Sequence, residues 1–285
     1  MNAGRLVTTA GALLLAAASQ VAHPAGPAAA PAPAAERLIH DYNARDIGAP
    51  GWRRVSLNLE TGGRVTRRFS ILHLFGRQGT EIRSLVVLEA PPGLRGTDYL
   101  LIEGTHDPAG MKLFLHLPAG EERVLSILPS RFEEGLLGSD FTYSDLRWLI
   151  PTDGWRFRLA GSTTLLGRTV RVIEAEPVRA EVRESTVWAV VRYYLATAPD
   201  LLLGADFYRQ PNASPAKRLR VEAVERRGRV WTPTRMVMAV SASRSSVLTL
   251  GETGFGEGPA RPELFVPAAL ARNAARLLAE GFGKR

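Results

Sequence analysis

From Trp52 onward the chain is dominated by a period of two. Val55, Leu57 and Leu59 alternate with Arg54, Ser56 and Asn58, and Trp155, Phe157 and Leu159 alternate with Arg156 and Arg158. A strand sends successive side chains to opposite faces, so this pattern describes strands with one apolar and one polar face. Strands are expected over 64–75, 81–90, 98–103, 111–117 and 123–128, and again over 169–176, 186–195, 202–209, 218–224, 230–240 and 247–250. The cleanest two-faced strand sets Leu219, Val221 and Ala223 against Arg218, Arg220 and Glu222. Turn signals such as Thr61-Gly62-Gly63, Pro92-Gly93 and Asp107-Pro108-Ala109-Gly110 punctuate the series. Many strands at regular spacing with turns between them predict a large antiparallel sheet, as a sandwich or a barrel.

Few segments break this rhythm. Leu38, Ile39 and Tyr42 form an apolar stripe that predicts a helix over 33–45, and Leu270, Ala274, Leu277 and Leu278 predict a final helix over 268–280. The middle stretch, 129–151, loses alternation and could hold a short helix over 144–149. The expected class is therefore mostly β with few helices. Two helices cannot cover both faces of so large a sheet, and a twisted sheet of about ten or more strands tends to curl. The Arg-rich face then becomes the convex outside. The apolar face becomes a concave inside, plugged by the helices and the central loop. Such a space is either filled by side chains or holds an apolar ligand. Periodicity leaves both open.

The 285 residues are 45% hydrophobic and 22% charged, which suits a folded chain with a sizeable core rather than a disordered one. The formal charge of +8 comes almost wholly from arginine, the only lysines being Lys112, Lys217 and Lys284. The arginines are spread along the chain rather than gathered into a basic stripe with aromatics, so they read as solvated strand faces and not as a nucleic-acid surface, the alternative being a patch for an anionic membrane surface or an acidic partner. At the N-terminus, Arg5 precedes an uncharged apolar run from Leu6 to Ala18 that is too short to span a bilayer, and Ala16-Ala17-Ala18 offers a cleavage site before Ser19. The expected organisation is a signal peptide at 1–18, an Ala/Pro-rich linker at 19–35 and a single domain at 36–285. The chain contains no cysteine. Thiol catalysis, thiolate metal sites and lipidation at such a residue are therefore excluded, and the expected product is an exported protein released into the periplasm.

Chemistry-bearing residues are sparse. No histidine pair has metal-binding spacing, no H-E-x-x-H is present, and no G-x-S-x-G elbow or phosphate-binding glycine loop occurs. Neither a metal nor a cofactor is expected, nor an enzyme. Glu133, Glu134, Asp140 and Asp145 crowd one segment, and a hydrolase using Asp140 and Asp145 is the weakest of the alternatives because no nucleophile–base pair accompanies them. Asp140 and Ser144 read better as turn and cap residues beside a helix start.

That same segment carries a resemblance. Leu117-Pro118-Ala119, Arg123-Val124 and the string Gly138-Ser139-Asp140-Phe141-Thr142-Tyr143-Ser144-Asp145-Leu146 resemble the bacterial outer-membrane lipoprotein-sorting protein family, relatives of the periplasmic lipoprotein carrier LolA. Arg95-Gly96-Thr97 and the later Trp231-x-Pro233 are also similar to it. The resemblance implies an unclosed β-barrel with helices as a lid and an apolar cavity for acyl chains. It implies a carrier of lipoproteins or another lipid, served by an inner-membrane exporter and an outer-membrane acceptor. The alternative is a non-enzymatic envelope module with the same fold and a filled core. The cavity is expected to be lined by alternate strand positions: Leu57, Leu59, Trp155, Phe157, Leu159, Leu219 and Val221. Gly138, Ser139, Asp140, Phe141, Tyr143, Asp145 and Leu146 are expected to form a lid, with Phe141, Tyr143 and Leu146 turned inward.

Overall fold

The computed structural model describes residues 32–104, 110–118, 123–256 and 260–280. The expected signal peptide, residues 19–31 of the expected linker, Asp107-Pro108-Ala109 of the expected turn and Ala119 lie outside the described residues.

The alternating segments are strands: β1 (Gly51–Thr61), β2 (Arg64–Gln78), β3 (Glu81–Ala90), β4 (Asp98–Gly104), β5 (Met111–His116), β6 (Val124–Ile127), β7 (Trp155–Leu165), β8 (Arg168–Pro177), β9 (Val190–Thr197), β10 (Asp200–Tyr208), β11 (Lys217–Arg227), β12 (Val230–Ala239) and β13 (Arg244–Phe255). They form one 13-stranded antiparallel sheet in the order β6-β5-β4-β3-β2-β1-β13-β12-β11-β10-β9-β8-β7. Consecutive strands pair, except β6 with β7, and β1 also pairs with β13, with Leu57 opposite Leu248. The tight β1–β2 turn uses Gly62 and Gly63, both at positive φ (57° and 74°), a conformation that fits the right-handed twist of a two-residue hairpin. Register shifts interrupt β1 at Arg53/Val55, β7 at Leu159/Gly161 and β10 at Leu202/Gly204. Bulges of this kind bend strands and help the sheet curl.

The two edge strands, β6 and β7, are consecutive in the chain and do not pair, so the barrel stays unclosed. The segment that joins them is the stretch where alternation fails. It carries a 3₁₀ turn over Tyr143–Leu146 instead of the helix expected over 144–149.

Three α-helices complete the described structure: α1 (Ala32–Ala44), the six-residue α2 (Ala180–Ser185) and α3 (Leu270–Glu280). Nothing in the charged stretch around α2 signals a helix, because it is too short to show an apolar stripe. The two longer helices lie on opposite faces of the sheet. Ala35, Ile39 and Tyr42 of α1 pack with Phe157, Leu159, Ile173, Ala175 and Leu195 on the concave side. Leu270, Ala274 and Leu277 of α3 pack instead with Leu72, Leu74, Leu85, Val87, Leu100 and Ile102. Those are the outward positions of β2, β3 and β4, since Ile71, Val86 and Leu101 point the other way into the main core. The expectation that both helices plug the concave side is therefore corrected: α3 covers the outside. Leu85-Val86-Val87-Leu88 is buried at every position because that part of the sheet is sandwiched. Gly76 on β2 leaves room for Phe265 ahead of α3, where a Cβ would lie 3.2 Å from the ring.

Elsewhere the outward face carries cross-strand ion pairs rather than isolated solvated arginines. Arg54 meets Glu89 at 2.6 Å, Arg220 meets Asp206 at 2.6 Å, and Arg192 and Arg158 converge on Glu174. The acidic partner is often the more buried one, Glu174 and Asp206 having side chains only 8% and 7% exposed.

Candidate functional site

The concave face encloses a cavity of about 810 Å³, within the range of sites that take small apolar molecules. Its walls are the inward positions of many strands, among them Val55, Leu57, Ile71, Val86, Leu101, Val191, Ala205 and Phe207. Phe141, Leu146, Trp148 and Leu149 of the central segment close one side, and Tyr42 and Arg45 of α1 another.

Of the residues expected to line it, Leu57, Trp155, Leu219 and Val221 do so. Phe157 and Leu159 share the concave face, but α1 roofs that end of the sheet, so they are core residues and do not border the cavity. Leu59 packs at the edge of the main apolar cluster rather than in the cavity wall. The sequence reading missed the contributions of β2 to β4, where a near-continuous apolar run hides which alternate positions face inward. It also missed Tyr193, Trp188 and Phe207, although Tyr193 and Phe207 sit at strand positions whose parity marks them.

The central segment is held across the opening by polar contacts from several elements. The Asp140 backbone N–H donates to Ser246 Oγ at 2.9 Å, whose hydroxyl donates back to Asp140 Oδ2 at 2.8 Å. Arg244 Nε lies 2.8 Å from Asp140 Oδ1. Thr142 caps the 3₁₀ turn in a capping box with Asp145, whose Oδ2 accepts from the Thr142 N–H at 2.7 Å. The cap is thus Thr142, not the expected Asp140 or Ser144. Asp145 also accepts from Lys217 Nζ on β11. Farther along, Glu103 on β4 accepts from the Trp148 and Leu149 N–H groups, and the Asn43 side chain of α1 exchanges two hydrogen bonds with the Ile150 backbone. Burial raises Glu103 to about 7, against the backbone bonds that favour its ionised form.

The inward residues of the motif are as expected. Phe141 and Leu146 border the cavity, and the Tyr143 ring meets Tyr99 with centroids 6.0 Å apart. Gly138 has positive φ, and Ser139 donates to the Phe141 carbonyl. Glu133 accepts from Ser144 and from Trp188 Nε1, and Glu134 pairs with Arg131. All four carboxylates of the segment are thus committed to structural contacts, and none is poised opposite another as a hydrolytic pair. Among the described residues no cluster of three or more metal-ligating side chains occurs.

One stretch of the cavity wall is polar. Arg53 on β1 and His73 on β2 stand opposite each other in register, and Arg53 Nε donates to His73 Nδ1 at 3.0 Å. The guanidinium lies over Trp148 and Phe75, 4.6 and 5.3 Å from the ring centroids. Burial, with a smaller contribution from Arg227, pulls Arg53 down to about 9, which leaves it cationic at neutral pH. Burial and the Arg53 charge hold His73 well below its ordinary value, so it is neutral. Arg53 shares its strand parity with Val55 and Leu57, the signal that places it inside.

A family model described as an uncharacterized protein matches residues 80–272. No curated protein matches the sequence. A DUF1329 family protein from Desulfovibrio piger is 22% identical with a TM-score of 0.73, over 84% of this chain and 99% of that one. A domain assigned to the outer membrane lipoprotein-sorting proteins, from Vibrio parahaemolyticus, is 20% identical with a TM-score of 0.74, over 85% of this chain and 100% of that one. A LolA superfamily protein from Nitrosomonas europaea is 16% identical with a TM-score of 0.58, over 81% of this chain and 97% of that one. The resemblance read from the sequence holds at the level of the fold.

Proposed function

The chain belongs to the family whose model spans residues 80–272, described as an uncharacterized protein, and from that premise we propose that it is a periplasmic carrier of lipid. In this reading the cavity shelters the acyl chains of a lipoprotein or another lipid on the way to the outer membrane. The observation that carries the reading is the apolar space of about 810 Å³ between a curved sheet and a segment pinned across its opening. Such a space gives acyl chains a refuge worth about 0.8 kcal/mol per buried CH₂. It weighs against the filled-core alternative.

Release needs the central segment to move, so open and closed populations must exchange. The segment suits that task because polar contacts, rather than strand pairing, hold most of it; its one bridge joins Gly135 to Thr142 within the segment. The lipoprotein-sorting name of the Vibrio domain and the LolA superfamily name of the Nitrosomonas protein support a carrier role. Periplasmic location rests on the N-terminal sequence pattern, and no helix among the described residues is long and apolar enough to cross a membrane. The partners in this reading are an inner-membrane donor and an outer-membrane acceptor.

The test is mass spectrometry of lipids extracted from the protein purified out of the periplasm, paired with titration of a fluorescent fatty-acid probe. The expected results are a co-purifying acyl lipid and saturable binding. Protein that carries no lipid and binds no probe would overturn the reading.

A further inference from the structure

We infer that the lipid taken by this cavity carries an oxyanion headgroup, received by the Arg53 guanidinium and the Nε2–H of His73. The inference rests on the carrier reading and specifies its cargo. Because Arg53 Nε donates to His73 Nδ1, the imidazole proton resides on Nε2. That Nε2 is buried without a hydrogen-bond partner among the described residues, and His73 is only 9% exposed while bordering the cavity. A buried donor left unpaired is costly, so a ligand that supplies its acceptor is favoured there.

The guanidinium beside it has no carboxylate partner among the described residues. Its neighbours are His73, the faces of Trp148 and Phe75, and the like-charged Arg227. The other carboxylates that border the cavity are engaged elsewhere: Asp46 with Arg229, Glu133 with Ser144 and Trp188, Asp145 with Lys217. Glu181 is exposed on α2. Of the neighbouring polar groups in the wall, Thr253, opposite Arg53 on β13, is engaged with Arg227 and the Gly251 carbonyl, so Arg53 and His73 present donors without a carboxylate acceptor among the described residues. Carboxylate and phosphate oxygens are the acceptors that match it.

The same two strands then continue as an apolar track. Val55 stands opposite Ile71 and Leu57 opposite Phe69, so the wall turns apolar within one rung of the polar pair. From Arg53 to Leu57 the strand rises about 13 Å. A headgroup held at Arg53 and His73, beside Trp148, would lay its chain along this track toward the Asp140 end of the central segment.

The experiment compares three ligands of equal chain length, dodecanoate, dodecyl phosphate and dodecanol, as displacers of a neutral fluorescent probe at pH 8. The wild-type protein is expected to bind at least one of the two anions ten times or more tighter than dodecanol, and which anion wins identifies the headgroup class. Arg53→Met is expected to bring anion and alcohol within about threefold of each other, and His73→Phe to narrow the gap by at least threefold. Arg218→Met, on the outward face, should keep the wild-type ratio. Equal binding of anions and alcohol by the wild type overturns this inference and leaves the carrier reading standing. Binding of none of the three sinks the carrier reading itself. If Arg53→Met does not fold, His73→Phe decides alone, and an unchanged ratio there refutes the inference.

Discussion

Lys217 Nζ lies 2.7 Å from Asp145 Oδ2, and both side chains are buried, 3% and 8% exposed. The ammonium also faces the rings of Phe207 and Trp188, 4.5 and 5.2 Å from their centroids. One of the chain's three lysines thus ties the central segment to β11 from inside an aromatic corner. Asp145 closes the capping box and neutralises a buried charge at once.

Removing one member of a buried pair strands the other, so Asp145→Asn should destabilise the protein by about 3 kcal/mol. Lys217→Met alone should cost a similar amount. The double variant should be more stable than the sum of the two losses implies, with a coupling of at least about 1 kcal/mol. Urea denaturation of the four proteins measures this, and strictly additive losses would show that the pair is not coupled.

Ser246 serves Asp140 twice, as acceptor from its backbone N–H and as donor to its carboxylate. Ser246→Ala should lower stability by about 2 kcal/mol, since it leaves a buried N–H unsatisfied. It should also speed exchange of a bound fluorescent fatty acid, because it loosens the segment where it meets β13. Stopped-flow displacement reads the second effect. An exchange rate equal to that of the wild type would remove the Asp140 contact from the gating account.

Phe157 and Arg158 test which face of β7 is which. Phe157 is 3% exposed beneath α1, and a charge there has no partner, so Phe157→Glu should cost more than 3 kcal/mol. Arg158 is half exposed and shares Glu174 with Arg192. Arg158→Glu places like charges across two strands but leaves Arg192 on Glu174, so the loss should be about 1 kcal/mol. Chemical denaturation that ranked the two in the reverse order would mean the faces are misassigned.

Glu103 gives stability an unusual dependence on pH. Burial raises it from an ordinary 4.5 to about 7, so between those values the folded state holds more protons than the unfolded one. Its contribution is full below pH about 4.5 and is lost as pH rises to 7, by roughly 3 kcal/mol at about 1.4 kcal/mol per unit. His73, held well below its ordinary value, acts in the opposite direction up to about pH 6.5, so the test is the difference between two proteins: from pH 5 to 7 the urea midpoint of wild type should fall relative to that of Glu103→Gln. A difference that stays constant or rises with pH would contradict the assignment.

What the sequence determined by itself was local. Alternation is a property of adjacent residues, so the strands, the inward and outward positions of those that alternate cleanly and the failure of pattern between β6 and β7 could all be read from it. Arg53 shares its parity with Val55 and Leu57, whereas the inward turn of Phe141 and Leu146 was legible only from their apolar character within the resembling string. The tertiary structure decided what depends on residues far apart in the chain. It placed α3 outside the sheet and α1 inside, because a run apolar at every position, such as Leu85 to Leu88, does not say which helix covers which face. It roofed Phe157 and Leu159 with α1 and left Leu57 and Leu219 open to the cavity. It joined Lys217 to Asp145 across 72 residues and brought Arg53 to His73 without a carboxylate. Burial and charge balance at a point sum over everything packed around it, and no local pattern carries that sum.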